Sequence, residues 1–297
     1  MPVLVNVSGG AARRLSGRLR DDVEAAFAVA GVPIALELLD GAAIPIRAAA
    51  LAGAPVVVVG GGDGTLGGAS GALAVGGSAL GILPLGTRNH LAEQLDIPAD
   101  LPGAARVIAG GITRRIDLGR VNGTAFVNNA VIGLYPQLVR EREALSAPRW
   151  LATLPAAARA LGRMRHHRLR IRRPGEGRTP VVTPMLFVGN GHYRLDAGVS
   201  AGRESLDDGK LSLYAVASRR RLALVGFALR ALMGRADPDR DFAALGDLPA
   251  FVVEGRSRRI DVALDGEVMR LAMPLRFESL AGALAVVAPA LREGSGA

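Results

Sequence analysis

The sequence predicts an α/β amino-terminal domain with a Rossmann-like parallel sheet and flanking helices over residues 1–121, followed by a β-rich, sandwich-like domain over residues 122–278. Two observations lead there. The first third alternates short β-rich runs with amphipathic stretches, which is the pattern of a parallel sheet covered by helices on both faces. Beyond Val121, extended segments follow one another with few helices between them, the pattern of antiparallel pairing. A chain of 297 residues with 49% hydrophobic content can bury a core for each domain.

In the first domain, strands are expected over 3–7, 32–39, 55–59, 79–83 and 115–121, and helices over 11–30, 44–52, 66–75, 88–95 and 104–109. The run Val56-Val57-Val58-Val59 is wholly apolar and β-branched, as a central strand buried on both faces should be. In the second domain, extended segments are expected over 126–132, 169–173, 181–188, 211–216, 251–253, 259–264 and 275–278, with helical inserts over 150–164 and 219–233. A last strand over 284–287, within a segment of about 279–291, is expected to return to the first domain, leaving 292–297 as a disordered polar tail.

Composition removes several chemistries. The chain has no cysteine, which excludes disulfides, thiolate metal sites and cysteine nucleophiles. Met1 to Asn6 carry no basic leader, and the most apolar helical stretch, 222–233, contains Arg230 and is too short to span a bilayer. A cytoplasmic protein is expected. Its formal charge of +9 is carried almost wholly by arginine, concentrated over 140–173, with Lys210 the only lysine. That balance suits an anionic partner, either nucleic acid or an acidic membrane surface. Aromatic content of 4% leaves little for base stacking, so no nucleic-acid partner is expected and peripheral contact with an anionic membrane is. The sequence is compatible with a homodimer and does not establish one.

The β-branched run feeds directly into Gly60-Gly61-Gly62-Asp63-Gly64-Thr65-Leu66. At the carboxyl end of a parallel strand, glycines let backbone N–H groups approach phosphate oxygens while the following helix offers its positive end. The stretch from Gly62 to Gly67 matches G-x-G-x-x-G, yet no acidic residue lies between Asp63 and Glu93 to hold a ribose, so a dinucleotide fold is poorly supported. A P-loop is excluded, because Lys210 sits in Asp208-Gly209-Lys210-Leu211, outside the required frame. An aspartate inside a phosphate cradle repels its ligand unless a cation intervenes, which points to a Mg²⁺-bound polyphosphate such as ATP. A second loop, Leu83-Pro84-Leu85-Gly86-Thr87-Arg88-Asn89-His90, also follows an apolar strand and opens a helix.

Gly61-Gly62-Asp63-Gly64-Thr65 resembles the GGDGT signature of the diacylglycerol kinase catalytic domain, shared with sphingosine and NAD kinases. The segment from Pro84 to His90 resembles the P-x-G-T-x-N-D segment of the bacterial lipid kinase branch, and Asn6-Val7-Ser8-Gly9-Gly10 its N-P-x-S-G. Ser205 to Leu211 is similar to that family's L-x-D-G-x-L, and Leu264-Asp265-Gly266-Glu267 to its closing D-G-E, so the likeness runs along the whole chain.

The resemblance implies a nucleotide-binding α/β domain, a β-rich domain and a site in the cleft between them. It implies that ATP and Mg²⁺ are used, with a lipid as the acceptor. Asn6, Gly61, Gly62, Gly64, Thr65, Gly86, Thr87 and Asn89 would line the phosphate path, and Asp63 would stand near the catalytic Mg²⁺. Asp265 would be the base that accepts the lipid hydroxyl proton, and Glu267 would hold the metal. Read alone, the Asp265-Gly266 pair is also a strong hairpin-turn signal. Asp208, with the backbone carbonyls of Ser205 and Lys210, would hold a structural Mg²⁺, against the alternative of a turn aspartate. Asp117 would support the catalytic aspartate through a polar network or, alternatively, be a surface aspartate. His90 departs from the pattern, since imidazole is a poor ligand for hard Mg²⁺. His166 and His167 read as solvated. Sphingosine or long-chain-base phosphorylation, NAD phosphorylation and a nucleotide- or lipid-binding regulator without turnover remain alternatives.

Overall fold

The computed structural model of the chain describes residues 1–9, 12, 17–87, 89–143, 165–194, 202–203, 205–216 and 242–290. The helices expected over 150–164 and 219–233, the start of the helix expected over 11–30, Arg88 and the tail from 292 lie outside the described residues. Two compact units are formed, one from Met1–Leu118 with the chain from Gly282 onward, the other from Gly119–Ala281. The sequence texture divides the chain at 121 and 278 instead.

The first unit runs β1 (Pro2–Asn6), α1 (Leu19–Val29), β2 (Ala35–Leu39), α2 (Ile44–Leu51), β3 (Val56–Gly61), α3 (Asp63–Gly76), β4 (Ala79–Pro84), α4 (His90–Gln94) and α5 (Leu101–Gly110). Its strands lie in the order β2-β1-β3-β4, all parallel, with Val3 beside both Leu36 and Val58, and Val58 beside Gly81. Val57, Val58 and Val59 are fully buried, as an apolar run between two helical layers requires. The helix expected from residue 66 begins three residues earlier, at Asp63, although Gly-Thr-Leu-Gly-Gly has poor helix propensity. Tertiary packing makes up the difference: a Cβ on Gly68 would lie 3.0 Å from the Pro45 ring of α2, so the two helices approach closely. Asp100 caps α5 by accepting the Gly103 N–H at 2.7 Å.

Next come β5 (Thr113–Val121), β6 (Thr124–Phe126), β7 (Asn129–Gly133), α6 (Leu134–Glu143), β8 (His167–Arg172), β9 (Arg178–Thr183), β10 (Met185–Asn190), β11 (Tyr193–Arg194), β12 (Gly202–Arg203) and β13 (Leu211–Val216). After these come β14 (Phe242–Leu248), β15 (Ala250–Gly255), β16 (Arg259–Leu264), β17 (Glu267–Ala272) and β18 (Leu275–Val287). In the second unit, six antiparallel strands lie in the order β14-β13-β10-β7-β16-β17. A second antiparallel group joins the start of β18 to β15, β8 and β9. Their inner faces share one core containing Phe126, Leu186, Val188, Leu213, Phe251, Val262 and Phe277. Phe251 and Phe277 stack at 5.0 Å between centroids. This is an antiparallel sandwich.

Three expected segments are divided differently. The stretch 126–132 splits into β6 and β7 because Val127 and Asn128 leave the ladder to bond elsewhere. The stretch 181–188 splits at Pro184, which has no N–H to give a ladder. The segments 275–278 and 284–287 are one strand, β18, whose far end pairs in parallel with β4 at Val286 and Leu80 within the first unit.

Candidate functional site

In the first unit the two glycine-rich loops leave neighbouring strand ends, since Gly61 of β3 pairs with Pro84 of β4 and accepts the Leu85 N–H. A Cβ on Gly86 would lie 2.4 Å from the Gly62 Cα, so the two backbones touch and neither loop could come this close with a side chain at Gly86. The polar side chains picked out by the sequence fasten these loops. Asn6 donates from Nδ2 to the Thr65 hydroxyl at 2.9 Å and accepts the Ser8 N–H at the same distance. Asp63 accepts the His90 N–H at 3.2 Å and the Leu91 N–H at 3.1 Å, so the first residue of α3 caps the start of α4. Asn89 accepts the Gly86 N–H at 2.9 Å while its own φ of 154° strains the backbone.

What these bonds leave over is the first turn of α3. The opening N–H groups of a helix have no intrahelical partner, and Gly62 at the N-cap has no side chain to cover them. Asp63, Gly64 and Thr65 therefore present peptide N–H groups at the positive end of a fourteen-residue helix, beside an exposed Thr87. His90 is exposed, with Nδ1 3.8 Å from the exposed Glu93 carboxylate. Asp117 is 1% exposed and accepts the Gly282 N–H at 2.7 Å, so it is not a surface aspartate.

In the second unit, Asp265 and Gly266 form the two-residue turn between β16 and β17, with φ of 47° and 92°. Both positive values suit the primed hairpin turn that Asp-Gly favours. The Asp265 carboxylate reaches back to β7 and accepts three peptide N–H groups: Val127 at 2.7 Å, Asn128 at 2.8 Å and Asn129 at 3.0 Å. The turn reading and the special-aspartate reading are thus both realised in one residue. Glu267 is exposed at the first position of β17.

The Val127 peptide is held from its other side by groups that sequence reasoning missed. Its carbonyl accepts from Arg203 Nη1 at 2.9 Å and from Asn190 Nδ2 at 2.8 Å, and Tyr193 donates to the Asn128 carbonyl at 3.0 Å. Asn190 is fully buried and Arg203 is 8% exposed. Paired glycines around Asn190, in Gly189-Asn190-Gly191, were the available hint of a close backbone approach; nothing in the sequence marks Arg203 as buried.

Asp208 accepts the His192 and Lys210 N–H groups, each at 3.0 Å, and the Lys210 carbonyl accepts the Gly191 N–H at 2.8 Å. Ser205 donates to Asp207 at 2.7 Å. Among the described residues no three His, Asp or Glu side chains converge closely enough to cage a cation. Any divalent ion would need phosphate, carbonyl or water oxygens as well, and the hard-oxygen character of Asp63, Glu267 and the Ser205, Asp208, Lys210 loop fits Mg²⁺ in type. His167 is not solvated: burial holds its imidazole pKa below the ordinary range, and the charges of His166 and Arg165 act in the same direction.

Comparison with known proteins bears on this arrangement. The model of the diacylglycerol kinase catalytic domain matches residues 1–121. A Pseudomonas aeruginosa protein named "Probable lipid kinase YegS-like" is 32% identical over 255 residues, covering 82% of this chain and 80% of that protein. A diacylglycerol kinase from Staphylococcus epidermidis is 35% identical over 88 residues, 29% of this chain and 28% of its own. The crystal structure of a diacylglycerol kinase from Bacillus anthracis shares the fold, with a TM-score of 0.67 at 19% identity over 97% of this chain and 96% of that one. No helix among the described residues is long and apolar enough to cross a membrane.

Proposed function

Because this chain belongs to the YegS-like lipid kinase family and carries a diacylglycerol kinase catalytic domain, we propose that it transfers the γ-phosphoryl group of ATP to a hydroxyl of diacylglycerol or a related lipid. The observation that carries this reading is the uncapped start of α3 packed against the second loop at Gly62 and Gly86. Peptide N–H groups fixed in advance bind phosphate oxygens without having to be ordered when the ligand arrives.

In this reading, Gly61, Gly62, Gly64 and Thr65 offer backbone and hydroxyl donors to the polyphosphate, Gly86 and Thr87 flank it, and Asn6 and Asn89 hold the two loops in shape. Asp265 is the base. Three peptide N–H groups fix the direction in which its carboxylate would face an acceptor hydroxyl. A loose phosphoryl-transfer transition state asks for orientation of that hydroxyl more than for strong basicity. Asp117 takes a supporting role in the first unit. Mg²⁺, when bound, would neutralise phosphate charge, with Asp63 the candidate ligand in the first unit, Glu267 in the second, and Ser205, Asp208 and Lys210 the candidates for a structural ion. The protein would meet its lipid at the periphery of a membrane.

The test is transfer of labelled γ-phosphate from ATP, with Mg²⁺, to diacylglycerol, long-chain bases and other lipids in micelles, with NAD as a parallel acceptor. Label in a lipid supports the reading and names the acceptor. Label in NAD alone overturns it. ATP binding without transfer to any acceptor points to a regulator, with His90 as the first residue to change.

A further inference from the structure

The outward face of the β18, β15, β8 and β9 group carries five arginines against two carboxylates, Glu254 and Glu278. Strand alternation sends Leu169, Ile171, Phe251, Val253, Leu275 and Phe277 into the core, and it sends Arg168, Arg170, Arg172, Arg178 and Arg276 to the opposite face. The register aligns them. Arg178 lies opposite Arg172, Arg172 opposite Val252, and Val252 opposite Arg276, so a single row crosses four strands with arginine at three of its positions.

Like charges directly opposite one another weaken a sheet, so this row opposes the stability of its own strands. Glu254, directly opposite Arg170 in the register, offsets part of it, at 3.0 Å from Arg178 and 3.6 Å from Arg172, while Glu278 is taken by Arg120 at 2.7 Å. Arg168, Arg170 and Arg276 are exposed and make no ion pair among the described residues. Guarding a sheet edge does not account for them, because only β9 is terminal in this group while β8 and β18 lie inside it.

We propose that this arginine face docks on the anionic surface of a phospholipid membrane. Proximity to anionic lipid rewards each arginine near the surface, and one sheet face offers its charges together. Single-stranded nucleic acid is disfavoured, because a sheet that binds it supplies aromatic side chains for stacking, and Phe251 and Phe277 face the core instead. The choice of a membrane rests on the lipid-kinase reading; the existence of the anion-binding face does not.

The test is co-sedimentation with vesicles of phosphatidylcholine alone and of phosphatidylcholine mixed with phosphatidylglycerol, for the full chain and for the Arg168→Gln/Arg170→Gln/Arg276→Gln variant. The wild type is expected to bind the mixed vesicles alone and to be released by salt. The triple variant is expected to bind on the order of a hundredfold more weakly, about fivefold per arginine, with a melting temperature no lower than that of the wild type. Equal binding of variant and wild type, or no binding by the wild type, overturns the proposal. Loss of affinity for a short DNA or RNA, with vesicle binding intact, also overturns it and puts nucleic acid in its place. Transfer to a short-chain diacylglycerol in neutral micelles is read separately and should be the same in both proteins. Transfer without arginine-dependent vesicle binding removes the docking face alone, and arginine-dependent binding without transfer removes the kinase reading alone.

Discussion

The two units prepare their polar groups in opposite ways. At the glycine-rich loops of the first unit, side chains are the scaffold and the backbone is what is offered: Asn6, Asp63 and Asn89 hold the loops, and the α3 N–H groups face outward. At the hairpin of the second unit, the backbone is the scaffold and a side chain is what is offered, since three peptide N–H groups hold the Asp265 carboxylate. The difference suits the two halves of a phosphoryl transfer. A polyphosphate carries several oxygens and is gripped best by many short, fixed donors; a single acceptor hydroxyl needs one well-aimed group. Substitutions at the two sites should therefore fail differently.

The largest effect is expected at Asp265. Asp265→Asn keeps the shape but turns an amide NH₂ toward N–H donors, so it should lower kcat by about 10²- to 10⁴-fold, the range for a lost general base. It should also cost about 1–3 kcal/mol of stability from donors left unpaired. ATP affinity by calorimetry should hold, because the donor loops are untouched. Lowered stability with kcat unchanged would make the carboxylate a scaffold as well, and the contrast between the units would disappear.

Gly86→Ala attacks the other unit through its backbone. Its Cβ would meet Gly62 at 2.4 Å, so the loops must part, at a cost of about 1–3 kcal/mol for overpacking. ATP affinity should fall at least tenfold. A variant that binds ATP as the wild type does would show that the touching backbones are not the grip. A smaller change should follow Asp63→Asn, which retains one good acceptor for the α4 N–H groups and loses the other, a loss of about 1 kcal/mol in unfolding free energy. If Asp63 also holds Mg²⁺, the Mg²⁺ concentration needed for half-maximal activity should rise; no shift would confine Asp63 to capping.

How much of this was legible in the sequence follows the same division. The strand Val56–Gly61 and its glycine loop could be read because an apolar β-branched run and consecutive glycines act locally. The bonds from Asp63 to residues 90 and 91, or from Asp265 to 127–129, could not, because they depend on segments far apart in the chain meeting in space. β14, with the sequence Phe-Ala-Ala-Leu-Gly-Asp-Leu, has little intrinsic strand preference; it is a strand because it pairs with β13 across a register shift between Leu213 and Tyr214. Arg203 was invisible for the same reason: burial of a lone arginine is decided by the carbonyls that surround it, here those of Val127 and Asn190.

His167 gives the smallest effect and the finest test of how the second unit treats a charged group. The Asp265 carboxylate accepts three N–H donors, whereas the buried His167 Nε2 has no hydrogen-bond partner among the described residues, and the charges of His166 and Arg165 repel a proton. Burial, the larger cause, lowers its pKa in the folded state below the unfolded value of about 6.5. Below that pH the unfolded chain takes up the proton more readily than the folded one, so stability falls as pH drops through 6.5 and levels off beneath the folded pKa. The melting temperature of the wild type should therefore fall between pH 7 and 5.5 by more than that of His167→Gln, whose amide does not titrate. Parallel curves for the two proteins would show that the folded structure tolerates the imidazolium, and that the second unit can hold a charge it has not provided for.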